Sequence, residues 1–214
     1  MLAHPEEVAE QFDDMPQERD AATLGMWTFL VTEFLFFGVL FAAYTITRVS
    51  YPQAFAEASQ HNDILLGAIE TVVLLTSSLT MEMGVSKAQN GRRKSIALYV
   101  LLTMALGVTF LVLHSVEYYQ HYHAHLMPGI NFSYTGTEAD HIKLVFFLYF
   151  VMTGFHMLHV SIGVIELGVI AWLAWRGSFT SAYYTPLEIS GLYWHFVHTV
   201  WIFLFPLFYL VSVQ

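Results

Sequence analysis

LVFFLYFVMTGFHMLHVSIGVIELGVIAWLAW, Leu144–Trp175, is the stretch that decides the fold. An α-helix rises ~1.5 Å per residue, so ~20 apolar residues cross the ~30 Å hydrocarbon core of a bilayer, and this run exceeds that length. Yet it contains His156, His159 and Glu166. An ionisable side chain at mid-membrane costs at least ~2.5 kcal/mol on insertion scales, so it faces another helix, water or a partner subunit rather than lipid. A membrane helix with a polar stripe therefore needs neighbours.

The neighbours are in the same chain. Gly25–Thr47, Ile64–Val85, Ser95–Tyr119 and Ile189–Val213 are also of spanning length, and they carry Glu33, then Glu70, then His114 and Glu117, then His195 and His198. The expected architecture is all-α, a polytopic bundle of five transmembrane helices, preceded by an acidic tail over residues 1–22 and filling residues 23–214. Composition agrees: 56% of residues are hydrophobic and only 12% charged, far from the soluble average. The chain has no cysteine, which excludes disulfides, iron–sulfur ligation, covalent haem attachment and thiolate copper in this polypeptide. Histidine-ligated haem or metal stays open. A net charge of −9 gives no basic footprint for nucleic acid.

The first twenty residues hold seven acids and one base, Arg19, unlike a secretory signal or a transit peptide. The tail reads as solvated, and the first span as an uncleaved anchor. With five spans, one side holds Arg19, Lys87, Arg92, Arg93, Lys94 and Arg176, and the other only Arg48 and Lys143. The positive-inside rule then places the N-terminus in the cytoplasm and the C-terminus outside. Pro52 and Gln60–Asp63 are expected to break the first outer loop. The longest connection, Gln120–Ile142, carries the turn signals Pro128-Gly129 and Thr135-Gly136-Thr137. No internal repeat is present, which disfavours an inverted-repeat transporter.

Counting along the spans sorts the polar groups by depth. Glu33, Glu166, His195 and His198 fall in one layer towards the cytoplasm, with His156 and His159 nearer the midplane. His156, His159, Gly163 and Glu166 follow helical spacing and form one stripe. Glu70, His114 and Glu117 form an outer polar layer. Packing alone could account for the histidines, since interhelical hydrogen bonds in membranes average ~0.6 kcal/mol. A carboxyl needs more, and Glu33 and Glu166 are expected to be protonated or paired with His198 or with a base on a partner.

Two His-x-x-His pairs, His156/His159 and His195/His198, could clamp a haem between facing helices. A carboxylate di-iron site would need Glu-x-x-His repeated within the bundle, and the one match, Glu138-Ala-Asp-His141, lies in the outer loop. His121, His123 and His125 form a short loop tract of the kind that seldom binds metal. The reading assigns this chain no metal and no catalytic residue. Gly38-x-x-x-Ala42 offers a small-residue face for close helix approach.

Four ordered motifs carry a resemblance: GMWTFLVTEFLFFGVLFAAY (Gly25–Tyr44), HSVEYYQ (His114–Gln120), TGFHMLHVSIG (Thr153–Gly163) and LYWHFVHTVWIFLFPLFYL (Leu192–Leu210). Together they resemble subunit III of heme–copper cytochrome oxidases, in the short five-helix bacterial form. The resemblance implies a subunit without its own redox centre, in a bacterial plasma membrane, packed against catalytic subunit I and subunit II, which hold the haems and copper. It implies bound phospholipid and support of proton uptake during reduction of oxygen to water, within a respiratory chain and its supercomplexes. Carried over by motif on this resemblance, Glu33 is the buried carboxylate near the lipid cleft, and His156, His159, Glu117, Trp194 and His195 fall on the other matching positions. With Glu166 and His198 from the depth count and Arg48, the lipid-binding or proton-linked candidates are Glu33, Glu166, His195, His198, His156, His159 and Arg48. Two positions depart from the family pattern: an Asp of the closing motif is His198 here, and an Asn of the second span is Glu70. They keep open a quinol oxidase or nitric oxide reductase accessory subunit, and a small haem b redox protein beyond that.

Overall fold

In the computed structural model of the chain, the described residues are 11–90, 93–136, 138–180 and 183–210, without the side chains of 93 and 94. Most of the acidic tail's first half, the basic run at 91–94 apart from the backbone of its second half, Thr137 and the last residues of the fifth stretch lie outside them.

Six helices follow one another: α1 Met15–Ser50, α2 Pro52–Ser59, α3 Ile64–Gln89, α4 Arg93–His123, α5 Ala139–Arg176 and α6 Thr185–Tyr209. Five of them, all but α2, are long and apolar enough to cross a membrane. Among the described residues there is no strand. Helix α1 starts well before the apolar stretch does, because Asp14 caps it. The Asp14 carboxylate accepts from the Gln17 amide at 2.8 Å, and Gln17 Oε1 accepts from the Asp13 amide at 2.7 Å. That reciprocal arrangement, with Pro16 in the first turn, satisfies donors that a helix start otherwise leaves open. The last part of the supposed tail is therefore helical.

Helix α2 replaces the expected break. Pro52 has no amide hydrogen to lose at the first helical position, so it starts a helix there rather than stopping one. Phe55, Ala54 and Ala58 are buried, and Tyr44 of α1 meets Phe55 edge-on at 5.0 Å and Phe208 at 5.1 Å. Helix α5 has 38 residues, about 57 Å at 1.5 Å per residue, so it tilts or projects beyond the hydrocarbon. It ends at Gly177, whose φ of 79° permits the left-handed turn that returns Ser178 N to Leu173 O at 3.1 Å.

Helices α3, α4, α5 and α6 form the closely packed body, and α1 lies against α6 with a thinner seam to α5. Trp194 of α6 is the centre of that body. Its indole nitrogen donates to Ser77 Oγ of α3 at 3.1 Å. Its ring fills the space that two glycines leave: a Cβ on Gly107 of α4 would stand 2.6 Å from Trp194 Cη2, and one on Gly163 of α5 2.9 Å from its ring edge. Gly67 of α3 makes the same allowance for Phe205. The small-residue face expected at Gly38 plays no such part here, since nothing lies within 4 Å of a Cβ built on it. Small residues admit close approach where a large ring needs it.

Candidate functional site

The sequence-selected polar residues meet in two clusters, with the rest dispersed among other seams, and a groove between α1 and α6 is a third feature. The first is the α1–α5 seam. Glu33 Oε2 lies 3.0 Å from His159 Nε2, with both side chains mostly covered. His159 Nδ1 donates to Phe155 O at 2.7 Å, so that nitrogen carries a hydrogen. Nε2 and the carboxyl must then share one further proton, as imidazolium with carboxylate or imidazole with carboxylic acid. Tyr193 of α6 donates to His159 O at 3.0 Å and holds the turn in place. Glu33 is thus paired with His159, not with His198 as expected from depth. The two residues on adjacent helices reach each other because Phe37, edge-on to His159 at 5.3 Å, packs beside them.

The rest of the expected inner layer divides among other seams. Ser190 of α6 donates to Glu166 Oε1 at 2.5 Å. His195 turns to α3, with Nδ1 2.7 Å from Ser78 Oγ and Nε2 3.4 Å from Glu82 Oε2. His198 donates from Nδ1 to Trp194 O on its own helix at 3.2 Å. Among the described residues Arg48 reaches only Tyr44 Oη, at 3.5 Å. The ring nitrogens of His159 and His195 are committed to these partners, which leaves neither residue free as an axial haem ligand. His156 is fully buried, with both ring nitrogens unpartnered, and stacks on Trp201 at 5.3 Å.

The second place brings together Glu70, His114 and Glu117, the three residues that share a depth by residue count. Glu70 of α3 and His114 and Glu117 of α4 are all fully buried. His114 Nδ1 lies 3.3 Å from Glu70 Oε2 and 3.4 Å from Glu117 Oε2. Tyr209, at the end of α6, donates to Glu117 Oε2 at 2.5 Å. Sequence reading missed Tyr209, although a tyrosine in the last turn of a span sharing that depth is a donor within reach. The loop histidines do not converge. His121 is buried, donating from Nδ1 to Glu117 O and meeting Asn62 Oδ1 at 2.9 Å, while His123 and His125 are exposed. Glu138 pairs with His141 at 2.7 Å at the start of α5.

The third is a groove between α1 and α6. Its apolar body, about 360 Å³, is lined by Trp27, Leu30, Val31, Phe34, Leu192 and Phe196, with His195 and Thr199 at its edge. Trp27 and Leu192 also line an adjoining polar cavity of about 640 Å³. There Arg19 makes a two-oxygen ion pair with Glu188 at 2.9 and 3.1 Å and lies 5.2 Å over the Tyr184 ring. An apolar slot thus adjoins a charged mouth between α1 and α6.

Comparison with known proteins bears on this arrangement. The family described as Cytochrome c oxidase subunit III matches residues 14–213. Cytochrome c oxidase subunit 3 of Synechocystis sp. is 32% identical over 193 residues, covering 90% of this chain and 76% of that protein. The same subunit of Thermostichus vulcanus is 30% identical over 201 residues, covering 94% and 92%. Quinol oxidase subunit 3 of Bacillus spizizenii is 29% identical over 191 residues, covering 89% and 87%.

Proposed function

The chain belongs to the cytochrome c oxidase subunit III family, as a multi-pass subunit III of a heme–copper oxidase in a bacterial plasma membrane, and from that premise we propose that it sustains proton uptake by the catalytic subunit while holding phospholipid against it. The family has no redox centre of its own, the haems and copper belonging to other subunits. This chain's contribution is then structural and electrostatic. One observation carries the reading: the α1–α6 groove joins an apolar slot to the Arg19–Glu188 mouth, and the Glu33–His159 pair lies on the neighbouring α1–α5 seam.

In this reading an acyl chain lies along Trp27, Phe34 and Phe196, and its headgroup meets Arg19 and Glu188. The lipid fills a seam that α1 leaves open and stiffens the surface that subunit I and subunit II cover. The shared proton of Glu33 and His159 keeps the pair neutral, so it can stay among apolar side chains and still exchange with water near the partner's proton entry. The N-terminus lies in the cytoplasm on this reading, by the distribution of basic residues. The reading is the same whether the electron donor of the complex is cytochrome c or quinol, since relatives of both names have similar identity.

The experiment replaces Glu33 by Ala in the assembled complex and follows turnover-dependent inactivation, proton uptake and co-purified phospholipid. The expected result is earlier inactivation with slower uptake. Unchanged inactivation and uptake would refute the proton role, and a complex free of phospholipid in the wild type would refute the lipid role.

A further inference from the structure

We propose that Glu70, His114 and Glu117 form a binding site for a divalent transition-metal ion of the zinc class, buried between α3 and α4. One ligand atom from each residue lies within 4.8 Å of the others. His114 and Glu117 share a helix face at i and i+3, and Glu70 comes from the helix that packs against it.

The spacing suits an ion better than it suits hydrogen bonds. Charge-assisted N–H···O contacts run to ~2.7–2.9 Å. The two distances from His114 Nδ1 are 3.3 and 3.4 Å. A tetrahedral ion with bonds of ~2.0–2.1 Å sets its ligand atoms about 3.4 Å apart. A single Nδ1 hydrogen cannot point at both carboxylates, whereas one ion can lie between all three.

Charge and saturation argue the same way. The three side chains are 0% exposed, and among the described residues no Lys or Arg is paired with either acid. Two carboxylates and a divalent ion sum to zero. Two protons would do the same, but each acid hydrogen then needs an acceptor. Nδ1 of His114 can accept one; Glu70 Oε1 and Glu117 Oε1 have no partner to receive the other. An ion can take either or both of those oxygens. Tyr209, donating to Glu117 Oε2, supplies the outer contact that orients a ligating carboxylate. Phe110 stacked on His114 at 5.7 Å and Trp201 edge-on at 5.3 Å keep the place dry. Three protein ligands leave a fourth position of a tetrahedral site, which Glu70 Oε1 or Glu117 Oε1 can fill without water.

The test uses the whole detergent-solubilised complex, stripped with chelator and reloaded with Zn²⁺ alone, comparing wild type with Glu70→Gln and His114→Leu by elemental analysis. The expected result is one more tightly held zinc per complex in the wild type than in either variant, with affinity in the variants reduced on the order of 100-fold or more. Equal zinc in all three overturns the proposal. Should a variant fail to assemble, anomalous scattering at the zinc edge from the wild-type complex decides. A peak ~2.0–2.2 Å from the three ligand atoms supports the site, and no peak there overturns it.

Discussion

His159 Nε2 and Glu33 Oε2 are 3.0 Å apart across the α1–α5 seam, while the other nitrogen of the same ring donates to Phe155 O at 2.7 Å. Both ring nitrogens therefore face oxygen, and the pair holds one proton more than a neutral imidazole beside a carboxylate would. Among the described residues it is the one polar side-chain link between α5 and α1, the helix with the most exposed span.

Breaking that link should loosen α1 selectively. Glu33→Gln, His159→Phe and the double variant form a cycle whose coupling should be about 1 kcal/mol, between the membrane average and the larger value of charged hydrogen bonds. Detergent-induced unfolding of the purified chain measures it. A coupling near zero would mean that the contact contributes nothing to holding α1.

A second prediction concerns Trp194. Gly107→Ala and Gly163→Ala place a methyl against its ring at 2.6 and 2.9 Å, and overpacking of this kind costs about 1–3 kcal/mol. Gly38→Ala meets nothing within 4 Å and should leave the isolated chain as stable as before or slightly more so, since Ala favours helix over Gly by up to ~1 kcal/mol. Gly38→Trp should instead weaken association with the other oxidase subunits if that face of α1 is where they bind. Co-purification yield reads this directly.

These cases show what the sequence could and could not convey. Hydropathy counts length, so five spans were legible, and Glu70, His114 and Glu117 were grouped correctly because height along a helix follows from residue number. Rotation about the axis does not follow from height, so depth alone leaves Glu33 protonated or paired with His198 or a partner's base, and does not single out His159, the residue that faces it. The glycines that matter, Gly107 and Gly163, became meaningful only with Trp194 placed between them. Helix α2 is not legible from Pro52 alone, because the residue type that breaks a helix interior also opens a helix at its first turn. The cap at Asp14 and Gln17 was readable as a local pattern and was passed over under the weight of charge in the tail.

Outside the membrane, Tyr134 donates to Glu57 Oε1 and pins the 124–138 connection to α2. That hydrogen bond to a carboxylate, with some burial, raises the Tyr134 phenol above its usual range. The folded form thus holds the proton more tightly than the unfolded chain does. Its contribution is complete below the unfolded value of about 10 and is lost as pH climbs through the raised folded value. Hydrogen exchange in the 124–138 connection should rise in strongly alkaline buffer, and Tyr134→Phe should show fast exchange already at neutral pH. Equal protection in wild type and variant would remove this contact from the account.

The groove admits a test that leaves every charged group intact. Thr199 is exposed at its edge and bonds only to His195 O on its own helix at 2.7 Å, so a larger side chain there projects into the slot without disturbing the core. Thr199→Trp should expel an acyl chain lying between Leu30, Phe34 and Phe196, while the helices and the Glu33–His159 pair stay as they are. Mass spectrometry of lipid retained by the complex should show a loss of one tightly held phospholipid. Because surface substitutions away from packed features change stability by within about 0.5 kcal/mol, the variant should assemble normally. If inactivation during turnover then accelerates as it does for Glu33→Ala, the lipid and the buried pair act on the same property of the catalytic subunit. If lipid is lost and turnover persists unchanged, the groove holds lipid without serving the reaction.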